Sequence, residues 1–255
     1  MRRVARQTVK TASLMAIIGV LAPLQWVAAL PGDVRFAAWL PALFHRLACR
    51  VMGIVVEVRG TMHGGQTVWI ANHLSYLDIM AIGSVAKCSF VAKDDIRGWP
   101  VFGRLARLQA TVFINRASRR AADVGTSLAG ALSSGRSLVV FPEGTTSDGS
   151  AVLPFKPALF EVFAADNAWA DVTLQPLTLS VESIDGDAVG VAHRDLYAYH
   201  GDASLGPHLM RFLGTRGARV RLTFHAPLPK DAAASRKMLA SAAQAAVASA
   251  LVASA

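Results

Sequence analysis

The sequence predicts an α/β fold, a largely parallel mixed sheet flanked by helices, with an N-terminal membrane-associated helical segment. Three observations carry this. Short apolar runs bounded by Gly, Asn and Asp alternate with helical patterns along most of the chain, the arrangement that builds parallel sheets. Hydrophobic residues make up 53% of the 255 residues and mean hydropathy is +0.39, high for a freely soluble protein. Basic residues are concentrated at the N-terminus beside the longest uncharged stretch. The expected division is a membrane anchor and amphipathic helix over 1–58, an α/β domain over 59–230, and an Ala-rich C-terminal helix over 231–255.

Arg2, Arg3, Arg6 and Lys10 precede twenty uncharged residues, Thr11 to Leu30. At about 1.5 Å per residue this run matches a hydrocarbon core of roughly 30 Å. A basic flank before an apolar run also describes a signal peptide, and Ala28-Ala29 offers small residues for cleavage. The next segment, Val34 to Gly53, is again apolar with Arg35, His45, Arg46 and Arg50 interspersed, as in a helix lying in the interface. That favours an uncleaved anchor, positive end cytoplasmic, and a protein at the inner (cytoplasmic) membrane with its functional part facing the cytoplasm.

Strands are expected at Ile54–Val58 and Thr67–Ala71 around a Gly-rich turn, then at Val85–Ala92, Thr111–Ile114, Ser137–Phe141, Val172–Leu179 and Arg219–His225. Helices are expected from Ser75 through Ile82, over Trp99–Leu108, over Ala117–Ser133 closed by Ser134-Gly135, and over Ala232–Ala255. Gly201–Gly206 and Asp166–Asp171 read as loops.

Net charge is +9 but regional: residues 1–60 and 87–120 each carry eight basic and two acidic side chains, so the remainder is net negative. Neither segment has the stacking aromatics or zinc spacing of nucleic-acid modules, so the expected partners are anionic membrane or a phosphate-bearing substrate, and no nucleic acid. Cys49 and Cys88 stand in apolar surroundings and read as free thiols of a reducing compartment. The seven histidines are scattered, so no metal site is expected.

The chemistry centres on Asn72-His73-Leu74-Ser75-Tyr76-Leu77-Asp78. His73 falls in a strand-to-helix turn, with Ser75 as candidate N-cap and Asp78 in the first helical turn, favoured by the helix dipole. A carboxylate holding one imidazole nitrogen leaves the other as a base of fixed tautomer, able to deprotonate a hydroxyl. Phe141-Pro142-Glu143-Gly144-Thr145-Thr146-Ser147 also follows a strand and can offer amides and hydroxyls to an oxyanion or phosphate, or be an ordinary turn. Arg116, after Phe113-Ile114-Asn115, suits bidentate contact with a phosphate or carboxylate, or is simply solvated.

Together these segments resemble the glycerolipid acyltransferase family typified by 1-acyl-glycerol-3-phosphate acyltransferase. Its blocks match Asn72 to Asp78, Phe102-Gly103 through Phe113-Ile114-Asn115-Arg116, Phe141 to Thr145, and Leu174-Gln175-Pro176-Leu177. The resemblance implies a catalytic His73/Asp78 pair, and transfer of an acyl chain from acyl carrier protein or acyl-CoA, without a cofactor, to a lysolipid acceptor. The first expectation for that acceptor is 1-acyl-sn-glycerol-3-phosphate. Asn72, Ser75, Arg116, Glu143, Gly144, Thr145, Thr146 and Lys156 are the expected substrate-binding residues, with amides near Gly144 or Ser75 stabilising the oxyanion.

One departure matters. Thr146 stands where the family's third block carries an arginine, which weakens the grip on a phosphate dianion unless Lys156 replaces the charge. The variant block, with Tyr199-His200-Gly201-Asp202 and Pro207-His208-Leu209, looks like the branch containing lyso-ornithine lipid acyltransferases, whose acceptor carries a carboxylate and an amine. Two other readings are a membrane-docked lipid-binding protein without catalysis and a secreted hydrolase using Ser75.

Overall fold

The computed structural model describes residues 1–30, 39–114, 121–164, 171–229 and 235–251. In chain order the elements are α1 (Arg2–Ala28), α2 (Trp39–Met52), β1 (Ile54–Gly60), β2 (Thr67–Ala71), α3 (Leu77–Val85), β3 (Ser89–Lys93), α4 (Phe102–Leu108), β4 (Val112–Ile114), α5 (Ala121–Ser133), β5 (Leu138–Val140), α6 (Glu161–Ala164), β6 (Thr173–Ile184), β7 (Asp187–Ala188), α7 (Val191–Tyr197), α8 (Leu205–Leu213), β8 (Ala218–Phe224) and α9 (Arg236–Ser249). The sheet order is β1-β8-β6-β2-β5-β3-β4, with β7 beside β6. All main pairings are parallel except β6 with β8, so the expected largely parallel mixed sheet is present.

The central strand β2 reads Thr-Val-Trp-Ile-Ala and every residue is buried, as a continuous apolar run must be when both sheet faces are covered. Trp69 and Ala71 face one core with α2, α3 and α8, while Val68 and Ile70 face the other with α5 and α9. Because β6, β2, β5, β3 and β4 run the same way, their carboxyl ends share one edge. That is the edge where ligands bind in open α/β sheets. The Asn72-His73 turn, Lys93 and the Phe141–Ser147 loop all start there.

Several boundaries differ from the sequence reading. β3 begins only at Ser89, because Val85 still belongs to α3. α4 starts at Phe102, after a 3-10 turn over Asp94–Gly98. β6 runs on to Ile184, and α8 starts inside the expected loop at Leu205. α7 and α8 were not expected. Residues 166–170 of the Asp166–Asp171 loop, the start of the Ala117–Ser133 helix and parts of the C-terminal segment fall outside the described residues.

The N-terminal segment does not stand apart from the sheet domain. Arg6 donates to the Gly214 carbonyl at 2.9 Å, Gln7 to Met210 at 2.7 Å, and Lys10 to the Met52 and Thr215 carbonyls at 2.8 and 2.9 Å. These carbonyls lie at the ends of α2 and α8, where cations are favoured. At the far end of α1, Gln25 donates to the Leu108 carbonyl at 2.8 Å. The basic flank, read as a lipid-facing signal, therefore fixes α1 along the domain. α2 likewise buries Leu40, Ala42, Ala48, Cys49 and Met52 inward; periodicity reports an apolar face but not what covers it. Val20, Leu24, Trp26 and Val27 of α1 remain exposed, as do Trp39, Trp99, Val101 and Phe102.

The β1–β8 junction is tight. Gly53 has φ +79°, and a Cβ there would lie 2.0 Å from the Arg216 carbonyl oxygen. G53A is expected to cost more than about 1 kcal/mol, since the left-handed backbone and the clash add, read from the shift in a denaturant-unfolding midpoint.

Candidate active site

Each local element of the site follows from where β2 stops. Asn72, 2% exposed, ends the strand by donating to the Leu179 carbonyl at 2.9 Å and accepting the Leu179 N–H at 2.8 Å. The chain then leaves the sheet through His73 and re-enters helical geometry at Leu77. Asn72 is thus a tie between β2 and β6. This corrects its expected place among substrate-binding residues, because both polar atoms of its side chain are engaged in the interior.

His73 Nδ1 and Asp78 Oδ2 are 2.8 Å apart. Asp78 is fully buried, and the same oxygen accepts the backbone N–H groups of Leu74 at 2.7 Å and Ser75 at 2.9 Å. Three donors on one carboxylate oxygen fix its rotamer and compensate its desolvation. Since the carboxylate accepts, the proton between the pair sits on Nδ1 and the lone pair of His73 is on Nε2. The His73 ring, one-fifth exposed, lies flat on Phe141, with centroids 4.0 Å apart and planes 15° apart.

Ser75 is not the N-cap. α3 starts at Leu77 with Tyr76 at the cap position, and the Ser75 hydroxyl accepts the Leu77 N–H at 3.3 Å. Ser75 is fully buried, so it meets neither substrate nor a nucleophile's need for access. Its amide is committed to Asp78, and the Gly144 amide to the Phe141 carbonyl at 3.1 Å. The amides of Ser75 and Gly144 themselves are thus engaged within their own turns, while Thr145 and Thr146, next to Gly144, line the cavity.

A cavity of about 750 Å³ opens at His73. Leu14 and Ile18 of α1, Phe44 of α2, Leu77 and Met80 of α3, and Phe90 of β3 form part of its apolar wall, and Gly144, Thr145 and Thr146 line it beside His73. Such a volume and lining suit an extended apolar ligand. Lys93 and Asp95 are the fully charged side chains on its lining among the described residues. Lys156 is exposed and does not line it, which corrects the expectation that it replaces the missing arginine: its amide is bonded to the Pro142 carbonyl at 3.0 Å, but its side chain is not on the cavity wall. Arg116 and Asn115 fall outside the described residues. Glu143 is 3% exposed, and its Oε1 accepts the His73 N–H at 3.1 Å; its side chain is not on the cavity wall, in contrast to its expected contact with a head group.

Sequence reasoning missed three parts of the site. Phe141 was read only as a strand end, although its ring is the platform for His73. The Tyr76 hydroxyl meets His208 Nδ1 at 2.9 Å while His208 Nε2 reaches the Ala198 carbonyl at 3.0 Å, tying the catalytic turn to α8. The N-terminal helices are expected from sequence to guide the acyl chains in from the bilayer; that α1 and α2 themselves wall the cavity had no signal, because an apolar helix looks alike against lipid and against a ligand. Cys49 and Cys88 are free, and burial pushes both thiols up to about 12, so they are unreactive. Among the described residues no group of three His, Cys, Asp or Glu is placed to hold a metal ion.

A carboxylate-held, one-fifth-exposed imidazole beside a large apolar cavity can activate a hydroxyl for acyl transfer, and the likeness to known proteins points the same way. The Acyltransferase family profile matches residues 54–180. Lyso-ornithine lipid O-acyltransferase of Rhizobium meliloti (strain 1021) is 39% identical over 88% of this chain and 78% of its own. 1-Acyl-sn-glycerol-3-phosphate acyltransferase of Neisseria meningitidis serogroup B is 35% identical over 70% of this chain and 66% of its own. The crystal structure of the 1-acyl-sn-glycerophosphate (LPA) acyltransferase from Thermotoga maritima shares the fold, with a TM-score of 0.67 at 21% identity over 98% of this chain and 96% of that one. The chain belongs to the acyltransferase family.

Burial raises the Glu143 carboxyl from 4.5 to about 8, and the neighbouring Asp78 charge adds to the rise. The folded state therefore holds this proton more tightly than the unfolded chain does. The resulting stability is complete below about 4.5 and is lost as pH rises through about 8. E143Q, which cannot ionise, should flatten that pH dependence. Thermal unfolding midpoints across this window should show the variant gaining on the wild type as pH rises.

Proposed function

We propose that this protein is a membrane-associated acyltransferase that moves a fatty acyl chain from an acyl thioester to the free hydroxyl of a lysolipid. The observation that carries the reading is the His73 Nδ1 to Asp78 Oδ2 bond of 2.8 Å beside the apolar cavity. His73 Nε2 takes the proton of the acceptor hydroxyl as its oxygen attacks the thioester carbonyl, and the thiol of acyl carrier protein or coenzyme A leaves with that proton. Asp78 stabilises the imidazolium in between. No acyl-enzyme forms in this scheme, since the buried Ser75 hydroxyl is occupied with Leu77. The exposed apolar side chains of α1, with Trp39, Trp99, Val101 and Phe102, lie in the interface of the cytoplasmic membrane, so both chains enter the cavity from the bilayer.

The favoured acceptor is a lyso-ornithine lipid. Thr146 replaces an arginine, Lys156 is off the cavity, and the charged lining among the described residues is one cation and one anion, Lys93 and Asp95. That balance suits a head group with a carboxylate and an ammonium better than a phosphate dianion. Lysophosphatidic acid is the second reading, supported by the likeness to the Neisseria enzyme.

H73A should lower transfer by at least about a thousandfold with the fold intact by circular dichroism; near wild-type turnover would refute the base. D78N should cost at least about a hundredfold, since the imidazolium loses its counter-charge. Membranes containing the protein, given labelled acyl-acyl carrier protein with lyso-ornithine lipid and lysophosphatidic acid side by side, should form acylated ornithine lipid in excess. Excess phosphatidic acid would overturn the acceptor assignment.

A further inference from the structure

Glu143 sits in the segment that otherwise lines the cavity, yet its own side chain is turned from it. Phe141, Gly144, Thr145 and Thr146 are on the wall; Glu143 is 3% exposed beneath it. Its Oε1 accepts the backbone N–H of His73 at 3.1 Å, and four residues later the Ser147 N–H donates to the His73 carbonyl at 2.9 Å. One loop therefore holds both backbone polar groups of the base, while Asp78 holds its ring. Asp78 and the stacked Phe141 ring fix how the imidazole is turned; where the imidazole stands depends on the backbone that carries it.

We infer that Glu143 is a positioning residue, holding the main chain of His73 in register with the acceptor hydroxyl, and that it makes no contact with the acceptor head group. This rests on the reading of His73 as the base, and it departs from the head-group role implied by the family resemblance. The role needs an acceptor oxygen, not a negative charge. Burial supports this by keeping the carboxyl largely protonated at neutral pH, with Asp78 as the facing charge and the His73 and Leu153 amides as the other groups directed at it. A glutamine keeps the oxygen in place, whereas a leucine leaves the His73 N–H without a partner and lets the turn shift.

The test compares kcat and acceptor KM for wild type, E143Q and E143L in membranes, with acyl-acyl carrier protein as donor and each of the two lysolipids as acceptor. E143Q should keep kcat within about threefold, and E143L should lose about a hundredfold in kcat with acceptor KM nearly unchanged, as expected when a reacting group is displaced by roughly 1 Å. A tenfold or greater rise in acceptor KM with kcat preserved, in either variant, would make Glu143 a head-group ligand and overturn the inference. So would an E143Q protein as inactive as E143L, which would show that the charge is needed. If E143L does not fold, the E143Q result decides by the same criteria. Persistent turnover in H73A is a separate failure, of the base assignment itself.

Discussion

The arrangement depends on one buried carboxylate. Asp78 has no exposed surface, and its Oδ2 gathers the His73 ring and the amides of Leu74 and Ser75 within 2.7 to 2.9 Å. Taking a carboxylate out of water is costly unless it is met by donors, and only a turn that folds back on the start of a helix presents two amides and an imidazole to one oxygen. The same contacts that make the charge tolerable therefore dictate the loop. The contacts that hold the His73 ring are thus among those that accommodate the buried Asp78 carboxyl.

Around that centre the sheet supplies convergence. Parallel strands β6, β2, β5, β3 and β4 deliver their carboxyl ends to a single edge, so segments far apart in the chain meet there. Asn72 locks β2 to β6, the Phe141–Ser147 loop grips His73 from β5, and α8 reaches Tyr76 through His208. His73 is thus held from several directions by rigid elements, at its backbone N–H and carbonyl and at ring Nδ1. Helices α1 and α2 complete the site by closing an apolar cavity over it, with Lys10 and Gln25 pinning α1 at its two ends.

How far this was legible from residues alone varies with the physics involved. Strand β2 was read correctly over Thr67–Ala71, because five buried residues between turn formers have few other options. β6 was cut short and α7 was missed, since their polar and small residues give weak local signals; α8 carries a clear amphipathic pattern, but its first turn, with Gly206 and Pro207, overlaps a stretch read as a loop. The His73–Asp78 pairing was legible because both partners lie within one turn of sequence. The roles of Asn72 and Lys156 were not, because whether a polar side chain faces a ligand or the interior depends on elements up to 107 residues away; Ser75 was misplaced locally, because α3 starts only at Leu77.

The sequence by itself determined the strand–helix alternation, the acid-paired histidine and the presence of a long apolar N-terminal helix, all properties set within a few neighbouring residues. The tertiary structure decided which motif residues face substrate. It turned Glu143 and Asn72 inward and bound Arg6 and Lys10 to carbonyls at helix ends. The reason is that hydrogen-bonding groups near a buried charge go first to whatever the fold must satisfy, and only what remains is left to face a ligand.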